Sequence, residues 1–193
     1  MLSYFRKFFS NTVYIQIWVD RIKATDLKTG SAYDEKALIS LIENKSGQKI
    51  VEAIGNSVEK LSDDNRKIIK PFNHPRVLIA DFMAGEKILQ HIFQTLKGKS
   101  LLSPSPIAIV HPMEKLEGGL TFVEEKALRE LAFGAGAHEV HLKTGRVLSA
   151  YEATNWIKEQ REKRDKTDYS KITVFVILLG IISLYILTTN KLG

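Results

Sequence analysis

In the first part of the chain, apolar and polar positions alternate with a period of two, as in strands that bury one face. Four short strands are predicted: Val13–Ile17, Val19–Ala24, Leu38–Ile42 and Lys49–Ile54. The stretch LKTG, which ends at Gly30, separates the second from the third and is typical of a turn. Together these segments predict a small, mostly antiparallel sheet.

After Pro71 the apolar positions recur at helical spacing. Two helices are predicted, one from an N-cap at Asp81 to Leu96 and one from a capping box at Thr121 and Glu124 to a C-cap at Gly134. The second helix is expected to place one set of apolar residues on a common face: Val123, Ala127, Leu128, Leu131 and Ala132. A third, charged helix is predicted from Ser149 to Arg164.

Two further strands are predicted between and after these helices. Ile107–Val110 is a continuous apolar run suited to a buried strand, and Val140–Leu142 follows the second helix. Helix and strand then alternate, which implies a right-handed crossover and at least one parallel strand pair. The sequence therefore predicts an α/β fold: a mixed sheet with antiparallel N-terminal strands and βαβ additions.

The C-terminal part carries an uncharged apolar run, Ile172–Thr189. At a rise of 1.5 Å per residue, a helix of this length reaches across most of a bilayer's hydrocarbon core. Residues 158–171 are rich in lysine and arginine, which favours a cytoplasmic location for the part that precedes the run. The prediction is a single-pass membrane protein whose preceding domain lies in the cytoplasm. Its expected lipid contacts are Ile172, Phe175, Leu179, Ile182, Tyr185 and Leu187.

The first ten residues have an amphipathic pattern of their own. Large apolar residues recur at helical spacing, at Leu2, Phe5, Phe8 and Phe9, with Arg6 and Lys7 on the other side. Such a segment suits the membrane interface, and a disordered or domain-packed tail is the alternative.

Composition narrows the possible functions. The net charge is +6, and no basic face interleaved with aromatic residues is evident, so nucleic acid is not an expected partner. The chain has no cysteine, which excludes disulfides, thiolate metal sites and cysteine nucleophiles. His111, His138 and His141 lie near predicted strand ends, but their spacing matches no metal motif. No catalytic, cofactor-binding or metal-binding residue and no small-molecule substrate are predicted.

Three sequence blocks resemble the bacterial actin MreB family in order and spacing: Val77–Phe93, Ser103–Val110 and Val123–Leu142. Between the second and third blocks the chain has one short insertion, EKLEGG, after Pro112. The N-terminal MLSYFRKFFSN also resembles the amphipathic helix that begins many MreB proteins. The resemblance implies an actin-like, ribonuclease-H-type fold, of which the chain is expected to hold only the N-terminal half, fused to a transmembrane helix.

The departures from the family pattern affect the ATP-binding parts. The resemblance implies a first strand that ends in D-x-G-T, but here Gln16 replaces the aspartate and Trp18 replaces the glycine. The family's catalytic glutamate is expected after the last matched strand, where this chain has KTGR, residues 143–146. The second phosphate loop belongs to the half that is not expected here. The resemblance therefore implies a pseudo-ATPase without cofactors rather than an enzyme.

The expected organisation is a membrane-contacting segment (1–10), an actin-like subdomain (11–148), a charged juxtamembrane helix or linker (149–171) and a transmembrane helix (172–189). The functional hypothesis is a scaffold or adaptor whose partners are MreB filaments and the lipid bilayer, in cell shape or wall elongation. Two alternatives stay open: a structural subunit of another envelope complex, such as a secretion, pilus or motility machine, and a residual nucleotide-binding protein completed by a partner.

Overall fold

The computed structural model describes residues 11–44, 46–61, 66–97 and 104–166. The strands are β1 (Thr12–Ile17), β2 (Arg21–Asp26), β3 (Ala32–Lys36), β4 (Ile39–Glu43), β5 (Lys49–Ile54), β6 (Lys67–Ile69), β7 (Ile107–Pro112) and β8 (Glu139–Leu142). The helices are α1 (Phe82–Lys97), α2 (Phe122–Gly134) and α3, whose described part covers 150–166; a 3-10 helix spans Gly55–Lys60. The strands, α1 and α2 belong to one compact unit that ends at Ala153, and residues 154–166 of the second unit are helical.

The main sheet has five strands in the order β3-β2-β1-β7-β8. β1 pairs antiparallel with β2, and β2 pairs antiparallel with β3. β7 runs parallel to both β1 and β8, so the two crossovers that α1 and α2 make join parallel strands. The predicted mixed sheet with antiparallel N-terminal strands is confirmed.

The prediction of one sheet for the first four strands is wrong. β4 and β5 form a separate three-stranded sheet with β6, in the order β5-β4-β6. The alternation of a strand tells which face is buried but not which strand is its neighbour, so the sequence could not separate the two sheets. Two edge strands were also missed, because β3 is mostly polar and β6 has three residues.

The core lies between the main sheet and the two helices α1 and α2. Val13, Ile15 and Ile17 of β1 are buried in it, as are residues of both helices. The helices approach closely at Gly85, where an added Cβ would lie 3.3 Å from side-chain atoms of Leu131 and Phe72. A larger residue at this position would therefore push the helices apart or displace the Phe72 ring.

Two of the three predicted helix caps are confirmed. The Ala84 amide donates to Asp81 Oδ1 at 2.9 Å, and Thr121 with Glu124 forms the full capping box of α2. The C-cap of α2 is Ala135 rather than Gly134, and the glycine with a positive φ (111°) is Gly136. The Ala137 amide returns to the Ala132 carbonyl at 3.0 Å, the bond of a Schellman motif.

The predicted membrane contacts lie outside the described residues. This applies to Leu2, Phe5, Phe8 and Phe9 at one end and to the apolar run Ile172–Thr189 at the other. Within the described part of the chain, every helix is too short or too polar to cross a bilayer.

Candidate functional site

The carboxyl ends of β1 and β7 meet at one edge of the main sheet, the edge at which ligand sites form in α/β folds. The two strands are parallel and in register, so Gln16 lies beside His111 and Ile17 beside Pro112. Gln16, which replaces the aspartate of the family pattern, therefore lies at this edge. The segment that follows β8 also reaches it, because the Lys143 amide donates to the Val110 carbonyl at 2.9 Å.

Gln16 and Trp18 lie on the face of the sheet that is turned away from α1 and α2. Gln16 is 7 % exposed, and Lys23 of β2 lies directly opposite it. The Trp18 ring lies under the Arg21 guanidinium, whose central carbon is 5.3 Å from the ring centroid. A buried neutral amide and an indole therefore occupy this strand end.

Arg21 is bound to a carboxylate of the neighbouring strand. Its Nε and Nη2 donate to the two oxygens of Asp34, at 2.7 and 2.6 Å. This bidentate pair lowers the pKa of Asp34, first through the hydrogen bond and then through the charge of Arg21. The pair fixes the position of the guanidinium that lies over the indole of Trp18.

The backbone amide of Val19, two residues after β1, is hydrogen-bonded to the carboxylate of Glu114. The Val19 amide donates to Glu114 Oε2 at 2.6 Å. Glu114 belongs to the insertion between β7 and α2, which the sequence analysis did not connect with this edge. An anion that approached the Val19 amide would meet the charge of Glu114, which repels it. No sequence signal links two residues so far apart in the chain.

A buried hydrogen-bond chain joins β1, β7 and the segment after β8. The Leu148 amide donates to the Tyr14 hydroxyl at 3.2 Å, and that hydroxyl donates to His111 Nδ1 at 2.7 Å. His111 Nε2 donates to the Gly145 carbonyl at 3.0 Å. We assign the Nε2–H tautomer because only this form satisfies all three contacts. His111 therefore links the segment after β8 to β1 and β7.

Burial lowers the pKa of His111, the nearby charge of Lys143 lowers it further, and the bond to the Gly145 carbonyl opposes both. The unfolded chain therefore takes up a proton near pH 6.5, before the folded chain does. The stability that neutral His111 contributes is therefore fully present above this pH and declines as the pH falls below it. We expect the free energy of unfolding, measured with urea, to fall more steeply between pH 6.5 and 5 for the wild type than for His111→Asn. Parallel curves would contradict this assignment.

The other two histidines are held by separate partners. His138 Nδ1 donates to the Ser105 carbonyl at 2.7 Å, and His141 Nε2 lies 2.7 Å from Glu139 Oε1 on the same strand. Among the described residues, no group of three or more metal-ligating side chains is assembled.

A second feature of this unit is an apolar surface formed where α1 and α2 begin. Phe122 is 81 % exposed, Val123 73 % and Met83 64 %. Val123, which the sequence places on one helical face with Leu128 and Leu131, is exposed because it lies in the first turn of α2. Val123 also lines a cavity of about 350 Å³ whose walls are mainly apolar, among them Val77, Ile79, Phe82, Leu120 and Ala127.

The five-stranded mixed sheet, its two crossover helices and the separate small sheet define an actin-like fold. A solved structure of MreB5 from Spiroplasma citri, bound to ADP, superposes with a TM-score of 0.54 over 70 % of this chain and 38 % of that one, at 22 % sequence identity. This likeness shows the fold.

Sequence relatives place the chain within that class. MreB of Escherichia coli, a cell shape-determining protein, is 32 % identical over 146 residues, which are 74 % of this chain and 40 % of that protein. MreB of Pasteurella multocida is 30 % identical over 139 residues, 71 % of this chain and 38 % of that protein. A family model described as MreB/Mbl protein matches residues 27–163. The chain belongs to the MreB/Mbl family, and it spans about two fifths of the length of these relatives.

Proposed function

We propose that this chain is a catalytically inactive MreB-family scaffold or adaptor, held at the inner membrane and acting with the bacterial actin cytoskeleton in cell shape or wall elongation. Membership of the MreB/Mbl family supports a role related to the cell-shape cytoskeleton. Inactivity, membrane attachment and the filament partner are the parts that experiments must test.

The observation that carries the proposal is the apolar surface at the start of α1 and α2. Large apolar side chains that stand together in water usually mark a contact with another protein. Phe122, Val123 and Met83 are exposed at the helix starts, and Val123 also lines an apolar cavity that a partner side chain can enter. Aromatic residues around such a pocket are the typical source of binding energy in protein interfaces.

Three features of the β1 edge support inactivity. Gln16 offers a neutral amide where a carboxylate would be needed to hold Mg²⁺, which prefers charged oxygen ligands. Trp18 fills space beside the strand end, and Glu114 both occupies the Val19 amide and adds negative charge. Each of these opposes the binding of a nucleotide phosphate.

Attachment to the membrane rests on the sequence of the C-terminal part. Residues 172–189 are uncharged, and the lysine- and arginine-rich stretch before them suits the cytoplasmic side of a bilayer. A second, weaker contact by the N-terminal amphipathic segment would be strengthened by this attachment, since it becomes effectively intramolecular.

A nucleotide titration tests inactivity directly. Because Trp18 lies at the strand end, its fluorescence should change if a nucleotide enters. We expect no change when ADP or ATP with Mg²⁺ is added to millimolar concentration to the full chain with Trp156 replaced by phenylalanine. MreB5 of Spiroplasma citri, which has been solved with ADP, serves as the positive control for binding by calorimetry. Saturable binding to this chain would favour the alternative of a residual nucleotide-binding protein.

A further inference from the structure

A groove of about 480 Å³ lies on the face of the main sheet opposite α1 and α2. Its floor is built from facing residues of the β1–β2 hairpin, Tyr14, Gln16, Trp18, Arg21, Lys23 and Thr25, and residues 147–150 form one wall. Pockets that hold small ligands are on the order of 300–1,000 Å³, so this groove has the size of a ligand site.

The middle of the floor carries the amide of Gln16. This residue is 7 % exposed, and its amide atoms are not among the fully buried unpartnered atoms of the described residues. Because Gln16 lines the groove, its amide is open to hydrogen bonding with a molecule bound there.

The charges of Arg21, Lys23 and the Asp34 carboxylate bonded to Arg21 sum to one positive charge at the groove floor. Two of the lining side chains are charged, Arg21 and Lys23, and both oxygens of Asp34 are bonded to Arg21. Lys23 lies across from Asp34 on β2 and β3, and its charge helps to lower the pKa of that carboxyl, but both oxygens of Asp34 are hydrogen-bonded to Arg21 rather than to Lys23. The floor therefore suits a single negative charge better than the two charges of a phosphate monoester.

Most of the remaining lining is apolar, apart from Thr25 and Ser149. The Trp18 ring, fixed under Arg21, lies at one end, and the Tyr14 ring with Leu27 and Leu148 lies towards the other. The Tyr14 hydroxyl is already occupied by His111 and the Leu148 amide, so this residue offers its ring rather than a polar group.

We propose that this groove binds an apolar monocarboxylate, a small molecule with one carboxylate on an aromatic or aliphatic body. The carboxylate accepts hydrogen bonds from the Lys23 ammonium and the Gln16 amide nitrogen, and the body lies against Trp18 and Tyr14. The inference does not depend on the proposed scaffold function, since it uses a different face of the unit from the apolar surface of α1 and α2.

The test uses the full chain in detergent with Trp156→Phe, which leaves Trp18 as the one tryptophan. The probe is 4-phenylbutyrate, and its neutral counterpart is 4-phenylbutyramide. We expect the carboxylate to change Trp18 emission saturably and to bind at least about tenfold more tightly than the amide, the effect of one charge-assisted hydrogen bond. Empty micelles correct for partitioning of the probe. Equal affinity for the two compounds, or no response to the carboxylate, would overturn the proposal.

Two variants locate the binding groups. Lys23→Met should reduce carboxylate affinity to that of the neutral amide, and Gln16→Leu should weaken it severalfold. Lys67→Met, on the exposed β6 strand, is the matched control and should bind like the parent. If Lys23→Met and Lys67→Met bind alike, the site is elsewhere. The comparison of the two compounds needs no variant, so the proposal stays testable if a substitution impairs folding.

Discussion

Replacing Phe122 and Val123 with aspartate is expected to abolish binding of the chain to MreB filaments. Both side chains are largely exposed at the start of α2, so the substitutions remove the apolar surface without disturbing the core. An interface that buries an aromatic anchor loses on the order of 2 kcal/mol or more when the anchor is truncated, and two buried charges add a desolvation penalty. We therefore expect at least a thirtyfold loss of affinity in filament co-sedimentation.

A matched control separates this surface from exposed apolar residues in general. Ile50 and Ile68 of the small sheet are also exposed, at 43 % and 55 %. Replacing both with aspartate adds the same charge at a different place and should leave binding within about twofold. If both double variants lose binding equally, the effect comes from net charge. If neither does, the surface at α2 is not the contact.

The largest effect on stability is expected from Phe72→Ala. Phe72 is fully buried, and its ring lies beside the Gly85 backbone between α1 and α2. Removing the ring loses buried apolar area and leaves a cavity that the close helix approach cannot fill. Substitutions of this kind reduce the free energy of unfolding by about 3–5 kcal/mol. Urea unfolding followed by circular dichroism measures the change.

Phe122→Ala is the control for this measurement, because it makes the same substitution on the surface. Exposed changes of this kind usually stay within about 0.5 kcal/mol. Phe72→Ala should therefore lower stability strongly, and Phe122→Ala should lower filament binding instead. A loss below about 1 kcal/mol for Phe72→Ala would mean that the helices do not pack on this ring as described.

The helices and the parallel strands could be predicted because their signals are local. The capping residues Asp81, Thr121 and Glu124 sit beside strongly periodic apolar runs, and the order of elements implies the crossovers. β3 and β6 could not be predicted, since their pairing with β2 and β4 depends on distant residues rather than on their own pattern. The same reason explains why the two sheets were merged.

The candidate site was only partly predictable. The sequence identified Gln16 and Trp18 as departures from the family pattern, and the structure brings them to one strand end. The contact of Glu114 with Val19 and the chain from Leu148 through Tyr14 to His111 join residues that are far apart in sequence, so no local signal announces them. The exposure of Val123 could not be predicted, because helical periodicity defines a common face but does not show how far the first turn of the helix lies from the sheet.

The proposed filament partner is tested by co-sedimentation of the full chain, reconstituted in nanodiscs, with MreB filaments from the same organism. We expect saturable pelleting with the filaments, lost in the Phe122 and Val123 double variant and kept in the Ile50 and Ile68 control. A chain that stays in the supernatant at saturating filament concentration, and that leaves filament assembly unchanged, would contradict the scaffold proposal. Recovery of other envelope proteins from detergent-solubilised membranes would then favour a subunit of another envelope complex.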